Sequence, residues 1–443
     1  MDFINFIPNF GSPILTIGAF VLALSIIVAI HEYGHYIVGR WSGIDAEVFS
    51  IGFGPVLWSR MDRRGTRWQV AAFPLGGFVK FLGDGNAASV GGDGETEKAR
   101  NTMLGAPLWA RAATVAAGPI FNFILSMLVF AALLVTLGQP LKPLTVSELP
   151  DWPENRALEL QAGDTILRVE GVALDFPEGF RDALGQLPSV AELDYEIERD
   201  GTRMTVPGPH PTPSLVQSIT PRSAADDAGL RIGDLVLSMN GTPVYSFADM
   251  VEVVNATGPQ PISLEIWRDG AMRQEVITPR MAAIPQPNGS MIEEPKLGIG
   301  NGGLFFEPKT MSVGLWEALT LGAQQVWFII VQSLNGLWHI ITGAISTCNL
   351  SGPVGIAETA GSMASQGLES FITFIAVMST AIGLLNLFPI PILDGGHLVF
   401  HAWEAVTGKP PSDGALRILM AIGLSLIGTL MIFAIANDLF LCP

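Results

Sequence analysis

Four stretches of this chain carry no Asp, Glu, Lys or Arg over lengths that few water-soluble folds tolerate: residues 3–30, 112–141, 370–393 and 418–437. A hydrocarbon core of about 30 Å takes about 20 residues of helix to cross. Each run is long enough, and together they predict a polytopic α-helical membrane protein with four transmembrane helices. The missing charge is gathered elsewhere. Of the chain's 65 acidic and basic residues, 38 lie between Lys142 and Lys309, where 25 are acidic and 13 basic. That distribution excludes a uniformly soluble enzyme, and a net charge of -17 argues against nucleic acid as a partner.

The first run has no basic segment before it and no small-residue cleavage site after it, so it is expected to be retained rather than removed as a signal. Cations set the expected orientation. Arg40, Arg60, Arg63, Arg64, Arg67, Lys80, Lys98 and Arg100 cluster between the first two spans, Lys409 and Arg417 precede the last, and the outer ends have none. Both termini and the charged middle segment are therefore expected on the extracytoplasmic side of a bacterial inner membrane. A fifth uncharged run, 318–357, is interrupted by Gln324, Gln325, Gln332, Asn335, His339 and Asn349, with Trp316, Trp327 and Trp338 at intervals of eleven. Indoles with scattered amides suit an interfacial amphipathic helix better than a lipid-exposed span.

The charged middle repeats itself. Gly163-Asp164 and the alternating residues to Gly171 match Gly233-Asp234 and the residues to Gly241 at an offset of 70; Arg199-Asp200-Gly201 and Arg268-Asp269-Gly270 recur at an offset of 69. Two copies of one α+β domain follow from this, each a turn, a strand, a helix and a hairpin through Asp-Gly. With Ser223-Ala224-Ala225, Ala228-Gly229-Leu230 and Gly233-Asp234, the second copy resembles bacterial PDZ domains; Leu160-Gln161-Ala162 in the first departs from that pattern.

The chemistry is concentrated in His31-Glu32-Tyr33-Gly34-His35. On a helix, positions i and i+4 share a face, so His31 and His35 can reach one zinc ion while Glu32 stands beside it as general base for water. A polar end to a membrane helix without a metal would leave two imidazoles and a carboxylate in a costly place. Hydrolytic zinc takes three protein ligands and an open position. Asp394 is the best third, in the run from Asn386 through Pro389 and Pro391 to Asp394-Gly395. It follows the third span as His31 follows the first, so an outward start with no crossing through 318–357 brings both to one leaflet. Topology and motif support each other.

His31 to His35 with the N-x-x-P-x-P-x-L-D-G run from Asn386 to Gly395 resembles the site-2 protease family of intramembrane zinc metalloproteases. The paired PDZ-like domains between the second and third spans resemble its RseP-like (regulator of sigma-E protease) branch. The resemblance implies an endopeptidase that cuts transmembrane segments, with zinc held by His31, His35 and Asp394. It implies single-span membrane substrates, such as an anti-sigma factor already trimmed by another protease, and signal-peptide remnants. It also implies a membrane re-entrant β-hairpin. Residues 67–81, two apolar strand-like pieces flanking Pro74 and the Gly76-Gly77 pair, suit one, with an edge through Gly76, Gly77, Phe78 and Val79 that pairs with an unwound substrate; on the residues alone an ordinary cytoplasmic hairpin suits them equally.

Asn386 could bond substrate backbone or a developing oxyanion, or cap its helix, while Pro389 and Pro391 break the helix and shape a non-helical strand. Asn122, after Gly118-Pro119, either supports the zinc site from behind its ligands or bonds a neighbouring helix, the latter preferred. His397 is expected to support the ligands from behind or to pack, rather than to ligate; His210, His339 and His401 have no partner pattern, and Cys348 and Cys442 make no disulfide framework. The expected layout is a first span with the zinc motif at 1–40, a cytoplasmic-side loop with the hairpin at 41–107, a second span at 108–141, PDZ-like domains at 142–212 and 213–310, an interfacial region at 311–362, a third span with the Asp motif at 363–400, and a fourth span at 401–443. Two other readings remain open. One is a catalytically idle PDZ scaffold or chaperone in the membrane, against which the intact His-Glu-His motif and Asp394 speak. The other is a transporter, which would need polar lining that the runs lack.

Overall fold

The computed structural model describes residues 13–83, 99–174, 179–220, 223–285, 291–300, 303–343 and 351–441; Lys98, Cys348 and Cys442 fall outside them. The chain divides into two compact units, one of residues 1–133, 315–338 and 350–443, the other of residues 134–314 and 339–349.

The first unit is mainly helical, with one small sheet. Among the described residues, four helices are long and apolar enough to cross a membrane, Ile14–Trp41, Leu108–Leu137, Leu368–Asn386 and Gly414–Leu439, one for each uncharged run. The first belongs to α1 (Pro13–Trp41), which does not stop where the apolar run meets His31 but continues for three more turns. The zinc-type motif thus lies within a helix, not at its end.

After α1 come β1 (Ala46–Met61) and β2 (Arg67–Phe81). Their register departs from the expected local hairpin. The two halves of β2 pair on either side of residues 46–51: Phe49 meets Val79 and also Trp68, and Ile51 meets Gly77 and also Val70. The partners of 48–51 advance from Arg67 to Val70 in the same sense, so that stretch runs parallel; the rest of β1, from Val56 to Met61, folds back antiparallel onto Ala71 to Arg67. Four short strands result, and residues 77–81 form one edge. The reason is chemical. Pro74 has no N–H to offer a ladder, so 67–81 does not close on itself and β1 supplies the missing partner.

α2 (Leu108–Leu137) contains Pro119, which removes one helical hydrogen bond, the one to the Val115 carbonyl. The chain then enters the second unit. Its first copy holds strands Thr165–Val169, Leu193–Arg199 and Thr202–Gly208 in one sheet with α3 (Phe180–Leu184). Its second holds α4 (Ala224–Asp227), α5 (Phe247–Thr257) and a sheet in which Leu235–Met239 lies between Thr242–Pro243 and Ile262–Arg268, with Ala271–Ile277 outermost. The recurring residues explain themselves. Asp164 accepts from Arg199 Nε and Nη2 at 2.6 and 2.7 Å, and Asp234 accepts from Arg268 Nε and Nη2, both at 2.6 Å. Each Gly-Asp and each Arg-Asp-Gly are two ends of one bidentate pair, and the pair sits on a separate apolar core in each copy.

Back in the first unit, α6 (Leu315–Ile341) is not among the four span-like helices. It packs Ala318, Gly322 and Val326 inward and leaves Trp316, Trp327 and Trp338 79%, 67% and 63% exposed. Eleven residues are close to three whole turns, so the indoles form one outer stripe. α7 (Pro353–Ser365) packs on α1 through Ala360 with Ala19, Ala23 and Ile27. α8 (Leu368–Asn386) ends before the Pro-rich run, and Asp394 opens a new helix, α9 (Asp394–Thr407). The break expected at Pro389 and Pro391 falls between these two helices, because the prolines deny helical hydrogen bonds to 387–393. α10 (Asp413–Ala436) completes the unit.

Candidate metal centre

His31, Glu32 and His35 occupy adjacent turns of α1, and α2 lies against them at Gly118. A methyl group at Gly118 would stand 2.3 Å from His35 Nε2 and 2.8 Å from His31 Cε1, a separation that forbids any side chain there. α9 brings the third group. Asp394 Oδ2 lies 3.1 Å from His31 Nε2 and 3.5 Å from His35 Nε2, and the two Nε2 atoms are 3.2 Å apart. α9 is fixed to α2 by a two-pronged ion pair, Arg111 Nη1 and Nη2 donating to Glu404 Oε2 and Oε1 at 3.0 and 2.6 Å.

These three groups fit a metal ion by their own hydrogen bonding. His35 Nδ1 donates to the Thr114 carbonyl at 2.9 Å, which leaves the lone pair of Nε2 on the inner face. Two imidazoles and a carboxylate then turn electron pairs toward one point, and Asp394 Oδ2 is buried with no hydrogen-bond partner. Such a convergence is stable when a cation shares it. Among the described residues it is the one set of three such ligands within 4.8 Å of one another. Two nitrogens and one oxygen suit zinc, with a coordination position left for water.

Glu32 faces the edge of the sheet. A methyl at Gly77 would stand 3.1 Å from Glu32 Cγ and 2.8 Å from the Ser50 carbonyl, so only glycine lets the strand pass this close. The backbone N–H of Val79 lies beside the Glu32 carboxylate. Phe78 stacks on Phe53 with ring centroids 6.1 Å apart, and Gly76 also lies against the Phe53 ring. Of the residues expected along this edge, Gly77 and Val79 approach α1 at Glu32, and Gly76 and Phe78 serve the sheet.

The Asn386 motif is divided in the same way. Asn386 is the last residue of α8, and its Nδ2 donates to the Ile382 carbonyl at 3.1 Å within its own helix. Pro389 and Pro391 lie in the non-helical link, with Pro391 against Gly423 of α10. His397 makes an edge contact with Phe400 and is not one of the convergent ligands. Asn122 reverses the preferred reading. Its side chain goes to His31 Nδ1 at 3.2 Å, while its backbone carbonyl meets the neighbouring helix through Ser379 Oγ at 3.0 Å. Thr114, Gly118, Arg111 and Glu404 were not legible as site residues. Gly118-Pro119 in an apolar helix was the one available signal for a close approach.

The model for peptidase family M50 matches residues 19–430. A Rhizobium meliloti protein named as a candidate zinc metalloprotease is 35% identical over 96% of this chain and 96% of its own length. A Salmonella typhi protein named regulator of sigma E protease is 33% identical over 95% of this chain and 98% of its own length. A solved PDZ domain from Listeria monocytogenes, 19% identical, covers 20% of this chain and 85% of its own length with a TM-score of 0.17, too low to bear on the fold.

Proposed function

Since the chain belongs to peptidase family M50, and is a multi-pass membrane zinc metalloprotease acting within the bilayer, we propose how its residues divide the work and what it cuts. His31, His35 and Asp394 would hold the zinc, which when bound would make water acidic near neutral pH and polarise the scissile carbonyl. Glu32 takes a proton from the attacking water on its carboxylate oxygen and returns it to the departing amine. A transmembrane substrate hides its carbonyls in its own helical hydrogen bonds, so it has to be unwound before cleavage. The edge at residues 77–81 offers strand-type hydrogen bonds to the unwound segment, beside Glu32. Asn386, Pro389 and Pro391 shape the other wall, close to the Asp394 ligand.

The substrates we propose are single-span proteins of a bacterial inner membrane whose outer domain has already been removed, an anti-sigma factor among them, and signal-peptide remnants. The two PDZ-like copies, placed extracytoplasmically together with both termini, act as a size filter, in line with the excess of cations between the first two spans. The observation that carries the reading is the convergence of Asp394 with His31 and His35 beside Glu32. Purified Glu32→Gln is expected to keep its zinc and to cut a membrane-spanning peptide about 10²- to 10⁴-fold more slowly. Equal turnover by the two proteins would remove Glu32 as the base.

A further inference from the structure

We propose that Asn122 is a positioning residue that fixes the orientation and the proton position of His31. Asn122 is wholly buried, at 0% exposure, and its carboxamide is 3.2 Å from His31 Nδ1. The other ring nitrogen, Nε2, is the one that faces Asp394 and His35. A ring nitrogen can bind a cation only through a lone pair, so with Nε2 on the metal the proton of a neutral imidazole resides on Nδ1. A buried N–H needs an acceptor, and the Asn122 side chain is what stands there.

The amide can supply one. Its oxygen and nitrogen exchange places by a half-turn of the carboxamide. With Nδ2 toward His31, a protonated Nδ1 would meet a second donor, and Asn122 Oδ1 is buried with no hydrogen-bond partner. With Oδ1 toward His31, the ring N–H is accepted and the donor–donor conflict disappears. His31 then has the kind of anchor that the Thr114 carbonyl gives His35 at 2.9 Å. Both histidines are clamped from α2, one by a backbone oxygen and one by a side-chain oxygen, with Gly118 between them.

Asn122 is itself held. Its carbonyl accepts from Ser126 Oγ and from Ser379 Oγ, each at 3.0 Å, and Ser126 Oγ reaches the Ala376 carbonyl at 2.7 Å. A methyl at Gly383 would lie 3.1 Å from Asn122 Cβ. α8 therefore fixes the backbone whose side chain fixes His31, and helix packing is passed on as ring orientation.

The inference rests on His31 being a zinc ligand, and its test separates the two. Zinc release from the purified full chain is followed against a chromogenic chelator, with thermal unfolding of the zinc-free proteins measured in parallel. Asn122→Ala is expected to hold zinc about 10- to 100-fold more weakly. Asn122→Asp, which presents an acceptor oxygen in either orientation, is expected to hold it close to wild type. A role in helix packing alone would make Asp no better than Ala, since it adds a buried charge. Asn122→Asp releasing zinc as readily as Asn122→Ala, or Asn122→Ala releasing it like wild type, would overturn the proposal. A His31→Ala control that keeps its zinc at wild-type affinity would overturn the ligand assignment and this inference with it.

Discussion

At Gly118 a single hydrogen atom sets how close α2 comes to α1, because the next carbon would stand 2.3 Å from His35 Nε2, the nitrogen that faces His31 and Asp394. The ring cannot swing aside without breaking its bond to the Thr114 carbonyl. Gly118→Ala is therefore expected to lose zinc in a dialysis assay while far-UV circular dichroism stays that of the wild type; zinc bound at full stoichiometry would show that the ring has room after all. The convergence of His31, His35 and Asp394 beside Glu32 was legible from sequence, since the i, i+4 spacing and a carboxylate after a span are the pattern of a metal site. Asn122 and Gly118 were not. Their roles come from the face that α2 turns toward α1, and a run of apolar residues does not say which face that is.

Elements repeat where the sequence repeats, and the second unit shows why so few residues need to recur. Asp234 is fully buried and its one charged partner, Arg268, is 7% exposed at its side chain; Arg268 Nη2 also donates to the Gly229 carbonyl at 3.0 Å. The pair joins the turn before one strand to the end of another, so Gly-Asp and Arg-Asp-Gly are preserved while the strands between them drift. Removing one partner strands a buried charge. Asp234→Ala is expected to destabilise the second copy by about 3–5 kcal/mol, read as its own transition in chemical denaturation, and a loss well under 1 kcal/mol would show that water reaches Arg268. The sheet of β1 and β2 was only half legible. Residues 67–81 announced two strands and a break, but β1 alternates too weakly to betray its pairing with both halves, a non-local matter of register.

For the whole molecule, the four uncharged runs carried most of the architecture, because a membrane helix has to satisfy length and charge together. Length and charge did not separate the run 318–357 from these four; its scattered amides and its indoles did, and among the described residues α6 is not one of the span-like helices. The break between α8 and α9 was visible as two prolines but not as a helix start at Asp394, which depends on how the link folds back. The role proposed for the acidic unit is a filter on substrate size. A chain lacking residues 142–310, with α2 and α6 rejoined by a flexible linker, is expected to cut membrane proteins whose folded outer domain is still attached, scored by fragments on an immunoblot. Unchanged rejection of such proteins would assign the filter to another part.

The third ligand we propose comes from a different helix than the first two, and that has a bearing on biosynthesis. Asp394 is made 359 positions after His35, so a ribosome has delivered both histidines and Glu32, and three of the span-like helices, before any nascent chain owns a complete zinc cage. On the proposed ligand assignment, a protease that works on the class of segment it is itself built from lacks its third ligand until three of its four span-like helices have been made.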